Sequence, residues 1–279
     1  MKIVFAYPRQ VFQSYSDYRK LIEISGFDTC FYDEMNLATK VVYIVAPANG
    51  ELREAVTKLR EAQKGHVLAK VIFWNLERVD SGVWPPEGRN ASNMVERIKD
   101  WVDAIWVSDR HYSTLDKRLV FVPMGSDARL AEGEPSEIKL YDIAALTYNN
   151  HRRSKVYSSL TKWKLAPESA WGDTRAKILQ ASKCMLYVHQ TELPIGAPLR
   201  FALAAAYKLP LLCEAMGDAF PLMDGRDYFS CPYSEIVDRM EDWLAMGSLS
   251  FLGENLHQTL CVDTNFRKSV EEGIRRTFP

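Results

Sequence analysis

The chain has 279 residues, 47% hydrophobic and 25% charged, with 35 Lys and Arg against 36 Asp and Glu and a formal net charge of −1. That length holds one large domain or two of ordinary size with a normally dense core. The charge balance excludes tight non-specific nucleic-acid binding through global charge and leaves only a local basic groove for it.

The N-terminal run MKIVFAYPRQ is too short for a signal peptide, and no stretch approaches the roughly 18 apolar residues of a membrane span. The pattern predicts a cytoplasmic protein without a membrane partner, and no obligate protein partner is evident. Five cysteines, Cys30, Cys184, Cys213, Cys231 and Cys261, form no CxxC pair and no Cys/His cluster, so they read as reduced thiols and not as zinc ligands.

Lys2–Tyr7 reads as a buried strand, followed by a helix from about Ser16 that ends at Gly26. Phe27–Tyr32 and the nearly continuous apolar run Val41–Ala46 are further strands, of the kind found in a parallel sheet covered on both faces. Glu51–Lys64 places Leu52, Val56, Leu59 and Ala62 on one helical face. Leu68–Trp74 is the fourth strand, and the Pro/Gly-rich loop from Asp80 to Arg89 follows it. Met94–Val102 reads as a helix, and Ala104–Val107 and Arg118–Val122 as strands. This alternation predicts a doubly wound parallel sheet with its functional loops at the carboxyl ends of the strands.

Asp127–Lys139 is polar and reads as a linker. The pattern then restarts. Leu140–Leu146 is a strand, a basic stretch and helix run to about Trp163, and Cys184–His189 is a strand. An Ala-rich helix over Leu199–Tyr207, a strand over Leu209–Cys213, an amphipathic helix over Tyr233–Met246 and a helix over Phe266–Phe278 complete the chain. The fold class is α/β, with two Rossmann-like halves. No Gly-x-Gly-x-x-Gly follows the first strand, which argues against a dinucleotide-dependent dehydrogenase.

Three stretches in this order resemble the GT-B glycosyltransferases: Val122-Pro123-Met124-Gly125-Ser126-Asp127, the basic Arg152-Arg153-Ser154-Lys155 after a strand, and Cys184–Leu244 with its Pro210 strand and Asp224–Asp227 turn. The resemblance covers roughly half of the chain and implies two Rossmann-like domains facing across a cleft. It sets an acceptor-side domain at 1–127, a nucleotide-sugar domain at 128–264 and a C-terminal helix, 265–279, packing back on the first domain. It implies sugar transfer from a nucleoside-diphosphate donor, a UDP-sugar by preference, to an acceptor hydroxyl, with no cofactor required and no metal. Gly125, Ser126, Arg152, Arg153, Lys155, Gln190, Glu192, Gly196 and Arg200 are then the donor-binding candidates. Guanidinium forks and a helix N-terminus suit a diphosphate. Two of these have ordinary alternatives: the basic run as a solvated helix start, and Arg200 as a cap or a partner near Glu192.

The two glutamates eight positions apart that mark retaining members are missing, because Leu203 and Arg200 stand where the second should fall. The pair is absent or rearranged, which admits an altered mechanism or a GT-B-shaped nucleotide-binding protein without catalysis. A base for the acceptor proton is sought among the strand-end carboxylates Glu77, Asp17 and Asp127. Asp17 also suits a helix cap, and Glu77 an ion pair with Arg78. The small size and the Trp-Asn-Leu-Glu-Arg stretch resemble bacteriophage glycosyltransferases, some of which modify hydroxymethylated pyrimidines in double-stranded DNA. On that resemblance Arg9, Tyr15 and Trp84 become acceptor-binding candidates, with a flipped base stacked on the rings. Ordinary packing of these aromatics, and a saccharide or small-molecule acceptor, remain open.

Overall fold

A computed structural model describes residues 2–9, 16–46, 50–62, 67–76, 95–96, 98–131, 133, 136–146, 150–167, 170–192 and 197–279. The chain divides into two compact units, one formed by Met1–Pro123 with Arg267–Pro279, the other by Met124–Phe266.

The first unit is built on six parallel strands: β1 (Lys2–Tyr7), β2 (Asp28–Phe31), β3 (Val41–Val45), β4 (Lys70–Asn75), β5 (Ala104–Val107) and β6 (Leu119–Phe121). Their order is β2-β1-β3-β4-β5-β6, and every pair is parallel. The order reverses between β1 and β3, which is the switch point of a doubly wound sheet. Helices α1 (Ser16–Ile24), α2 (Gly50–Ala62) and the short α3 (Arg110–Leu115) connect the strands. Of the expected helix over 94–102, Val95, Glu96 and Ile98 are helical among the described residues, Lys99 N–H bonds Val95 C=O at 2.9 Å, and the helix ends in a turn where Trp101 N–H bonds Ile98 C=O.

Trp74 and Trp106, each fully buried, meet edge to face with ring centroids 5.4 Å apart. Each indole N–H is satisfied, Trp74 by Ser108 Oγ at 2.9 Å and Trp106 by Thr277 Oγ1 at 2.8 Å. The second of these bonds fixes the C-terminal helix α9 (Phe266–Thr277) against the first unit. Gly273 makes the approach possible, since a Cβ there would lie 2.8 Å from the Trp106 ring. Arg267 extends the docking by donating to Ser25 and Gly26 carbonyls at 3.0 and 3.1 Å.

The second unit carries four parallel strands: β7 (Tyr141–Ala144), β8 (Ser182–Tyr187), β9 (Leu211–Glu214) and β10 (Phe229–Cys231), ordered β10-β9-β8-β7. A parallel bridge between Ile143 and Leu165 adds a rudimentary strand on the far side of β7. The reversal therefore falls between β7 and β8, repeating the topology of the first unit. Helices α4 (His151–Ser159), α5 (Gly172–Gln180), α6 (Pro198–Ala206), α7 (Ile236–Ala245) and α8 (Ser250–His257) flank the sheet, and α8 runs into a π-helical turn over Gln258–Asp263. The core joins Leu186, Val188, Leu212, Ile236 and Met240 across sheet and helices.

Gly125 is where this unit closes on itself. A Cβ at Gly125 would lie 1.7 Å from the Thr264 carbonyl oxygen and within 2.8 Å of Phe266 N. Ser126 then donates its N–H to Leu260 C=O at 2.7 Å, while its own carbonyl accepts the Phe266 N–H at 2.9 Å. The glycine at this position admits the chain's own backbone.

Candidate functional site

The carboxyl end of β7 leads to Asn150, the N-cap of α4, whose side chain accepts the Arg153 N–H at 2.9 Å and donates to the Gln190 carbonyl at 2.9 Å. One residue thus satisfies an orphan donor of the helix and ties that helix to the loop after β8. The first turn of α4 contains no acid and carries Arg152 and Arg153. This contradicts the usual preference of a helix N-terminus for negative charge, so partners or a ligand must offset the cations.

Two of the cations are offset within the unit. Arg153 is buried and donates Nε–H to the Val188 carbonyl at 2.9 Å. Arg152 reaches the end of β9, where Nη1 donates to Glu214 Oε2 at 2.6 Å and Nη2 donates to Oε1 of the same carboxylate. Nη1 also donates to the His189 carbonyl at 3.1 Å. Tyr233 lies beneath, its ring centroid 3.7 Å from the guanidinium carbon and its hydroxyl donating to the Arg152 carbonyl at 2.8 Å. Burial opposes the charge on Arg152, but the bonds to and charge of Glu214 outweigh it and hold the group above its ordinary value. Glu214 also accepts the His189 N–H at 3.0 Å, which locks the ends of β8 and β9 together. The third cation, Lys155, is exposed and its ammonium has no ion pair among the described residues.

Arg152, Lys155 and Tyr233 line a pocket of ≈ 580 Å³ whose walls also carry His151, Glu192 and Ser234. The volume is that of a small-molecule site. The pocket lies at the carboxyl ends of the strands beside the β7/β8 switch point, where open α/β sheets hold ligands. It combines two cations, a helix N-terminus and an aromatic face, a set suited to an oxyanion.

Of the sequence-derived donor candidates, Arg152, Lys155 and Glu192 come together at this pocket. Gln190 is exposed in the adjoining loop and contributes its carbonyl to Asn150. Arg200 stands in the first turn of α6, with its guanidinium carbon 5.9 Å from the Trp171 ring centroid. Ser126 is fully buried, its hydroxyl donating to Ala202 C=O at 2.7 Å. Gly196 falls outside the described residues, as do Glu77, Tyr15 and Trp84.

Asp17 is buried in the first turn of α1. Asp127 caps the turn Ala128–Leu130 and pairs with Arg129 at 2.6 Å, and those bonds overcome burial to hold its carboxyl below the ordinary value. Arg9 is exposed, lies over the Phe31 ring at 4.5 Å and pairs with Asp33 and Glu34 at 2.9 and 3.2 Å.

Glu214, Tyr233, Ser234 and His151 were not singled out in the sequence. The available signal for Glu214 was a carboxylate closing the apolar run Leu-Leu-Cys-Glu, a position that the sheet then buries. Among the described residues no group of three His, Cys, Asp or Glu could hold a metal ion, and no helix is long and apolar enough to cross a membrane. All five cysteines are free thiols, and burial pushes Cys30 up to about 11 and Cys261 up to about 12.

No protein-family model matches the chain, and no curated protein sequence matches it significantly. Solved structures do. Anabaena Alr3699/HepE, crystallised in complex with UDP and glucose, aligns with a TM-score of 0.66 and 9% identity over 99% of each chain. TarM aligns with a TM-score of 0.61 and 8% identity over 87% of this chain and 56% of its own. The lipopolysaccharide outer core galactosyltransferase WaaB, in its apo form, aligns with a TM-score of 0.54 and 10% identity over 100% of both chains. At such identities the likeness establishes architecture: the chain has the two-domain, Rossmann-like GT-B fold.

Proposed function

We propose that this protein is a glycosyltransferase that takes a sugar from a nucleoside-diphosphate donor, a UDP-sugar by preference, and that the pocket of the second unit receives the donor's diphosphate. The observation that carries the reading is the convergence of Arg152, Lys155 and the α4 N-terminus on one pocket beside the switch point. The HepE complexes with UDP and with UDP-glucose support it by analogy of fold.

In the reaction the bond from the anomeric carbon to the phosphate oxygen breaks and a bond to the acceptor oxygen forms. The nucleoside diphosphate leaves with the electron pair. Arg152 and Lys155 oppose the charge that grows on the leaving phosphate, and the α4 N-terminus adds partial positive charge. The proton of the acceptor hydroxyl goes to a carboxylate, for which Glu77 is our candidate. Asp127 is already committed to Arg129 and Asp17 is buried, so both are weaker candidates.

For the acceptor, a hydroxymethylated pyrimidine in DNA is supported by sequence resemblance, with Arg9 as the one acceptor candidate among the described residues. The ion pairs of Arg9 with Asp33 and Glu34 weaken its attraction for a phosphate backbone. A hydroxyl of a saccharide or small molecule is therefore the reading to test beside it.

The test is a screen of nucleotide-sugars by thermal shift and turnover, with and without hydroxymethylpyrimidine DNA. Stabilisation by one donor, with sugar appearing on DNA, supports the whole reading. Donor binding with transfer only to a saccharide or small molecule redirects the acceptor. Donor binding without transfer or hydrolysis leaves a non-catalytic nucleotide-binding protein. No response to any donor refutes the proposal. A Glu77→Gln variant that binds donor but is inactive supports the base role, and full activity in that variant eliminates it.

A further inference from the structure

An arginine that binds a phosphate must keep its donors aimed at the ligand, and a long side chain on a helix start does not do so by itself. Arg152 is held along one edge and over one face of its guanidinium. Its guanidinium has five N–H donors. Two go to Glu214 through Nη1 and Nη2, and one goes from Nη1 to the His189 carbonyl. Tyr233 covers one face at 3.7 Å. What remains is the Nε–H with the second Nη2–H, two parallel donors along one edge that carry no bond among the described residues. That edge has the spacing of a bidentate oxyanion contact.

Glu214 is the fixed point of this arrangement. Its side chain is 9% exposed, and the backbone N–H of His189 holds the carboxylate at 3.0 Å, so the anchor is tied to the sheet. We propose that Glu214 is a positioning residue for anion binding at this pocket: it grips one edge of the Arg152 guanidinium so that the other edge is presented to a phosphate of the donor. The proposal rests on the donor reading above and adds to it a residue that touches no ligand.

A carboxylate next to a cationic pocket has two opposed effects, and their signs separate the hypotheses. Through its charge alone Glu214 repels an anion, so its neutralisation tightens binding. Through positioning it aids binding, so its loss weakens it. The experiment is a double-mutant cycle on the full chain, reading the Kd of inorganic pyrophosphate and of UDP by calorimetry. Glu214→Gln keeps the shape and an acceptor for His189 N–H but replaces one carboxylate oxygen with a donor facing a donor. We expect it to weaken both ligands about tenfold, because the fork is released to other rotamers. In an Arg152→Ala background nothing remains to be positioned, and the same substitution should leave the Kd unchanged or tighten it. Arg152→Lys, which keeps the charge but not the fork, should bind about as weakly as Glu214→Gln.

Tighter or equal binding by Glu214→Gln in the wild-type background overturns the proposal while leaving the donor reading intact. Wild-type protein that binds neither pyrophosphate nor UDP overturns both. If Glu214→Gln does not fold, the wild-type protein still decides. Arginine-labelled protein should show a slowly rotating Arg152 side chain in 15N NMR, with its peak assigned by its loss in Arg152→Lys, and fast averaging of its Nη groups would overturn the proposal.

Discussion

Replacing Gly125 with alanine separates a structural from a ligand-contacting role for the Val-Pro-Met-Gly-Ser-Asp stretch. The added Cβ would meet Thr264 O at 1.7 Å, Asn265 C at 2.6 Å and Phe266 N at 2.8 Å, all backbone atoms that no rotamer change can move. Restoring contacts of about 3.5 Å requires the two segments to part. Parting threatens the Ser126 to Leu260 and Phe266 to Ser126 bonds, of 2.7 and 2.9 Å. Each lost bond costs about 1 kcal/mol net, and forced overpacking about 1–3 kcal/mol. The loss of unfolded-state freedom returns less than about 1 kcal/mol. Gly125→Ala should therefore destabilise the second unit by about 3–4 kcal/mol, a fall in Tm of roughly 10 °C for a unit of this size. Scanning calorimetry and urea titration measure it, with Gly225→Ala as the control. Gly225 has φ +79° and nothing within 4 Å of an added Cβ, so its cost is the left-handed backbone alone, about 1 kcal/mol. A Gly125→Ala protein as stable as Gly225→Ala would refute the packing argument. If it had also lost UDP affinity, the glycine would belong to the ligand site.

Three further outcomes are expected. Lys155→Gln should leave stability unchanged, weaken UDP about five- to tenfold and flatten the salt dependence of binding, because an exposed ammonium acts through charge. Tyr233→Phe should lose only the hydroxyl bond to the Arg152 carbonyl, about 1 kcal/mol of stability with UDP affinity nearly kept, whereas Tyr233→Ala removes the ring beneath the guanidinium and should weaken UDP. Asp142 accepts the Lys164 N–H at 2.8 Å and pairs with Lys183 at 2.7 Å; burial pushes its carboxyl up, but these contacts outweigh that and hold it below the ordinary value of 3.8. A carboxyl depressed in the folded state stabilises above its unfolded value, and the effect fades as pH falls through the folded one. Asp142→Asn should thus be about 1 kcal/mol less stable than wild type at pH 7 in urea titrations. The gap should shrink as pH falls below 3.8 and close once it passes the lowered folded-state value, and a gap that persists in strong acid would contradict the linkage.

The sheets were legible because their strands are apolar on both faces. Val41–Val45 and Lys70–Asn75 bury nearly every residue, and so does Ser182–Tyr187 in the second half. The helices that escaped notice lack a clean apolar stripe. Arg110–Leu115 buries only Tyr112. Gly172–Gln180 buries Arg175, whose guanidinium donates to the Ala170 carbonyl and lies 4.1 Å from the Trp171 ring, so its inner face contains a charge that periodicity counts as solvent-facing. In Ser250–His257 the glycine that looks like a breaker is a contact point, with a Cβ position 2.0 Å from Lys208 O. β10 is three residues long, one of them Ser230, and shows no run at all.

The pocket was half legible, for a related reason. Resemblance pointed to Arg152, Lys155 and Glu192, yet Arg152 and Arg153 are adjacent in sequence and opposite in environment. One turns inward to a main-chain carbonyl and the other lines the pocket. A helical step of about 100° separates them, and spacing alone does not say which faces the sheet. The sequence does hold one further clue, a conflict between levels. A helix whose first turn is basic works against its own dipole, and such local violations are retained where something else compensates. Glu214 supplies that compensation from the end of β9, sixty-two residues away in the chain. The charge that opposes this unfavourable helix start is kept at the end of β9, and the same carboxylate fixes the direction of Arg152.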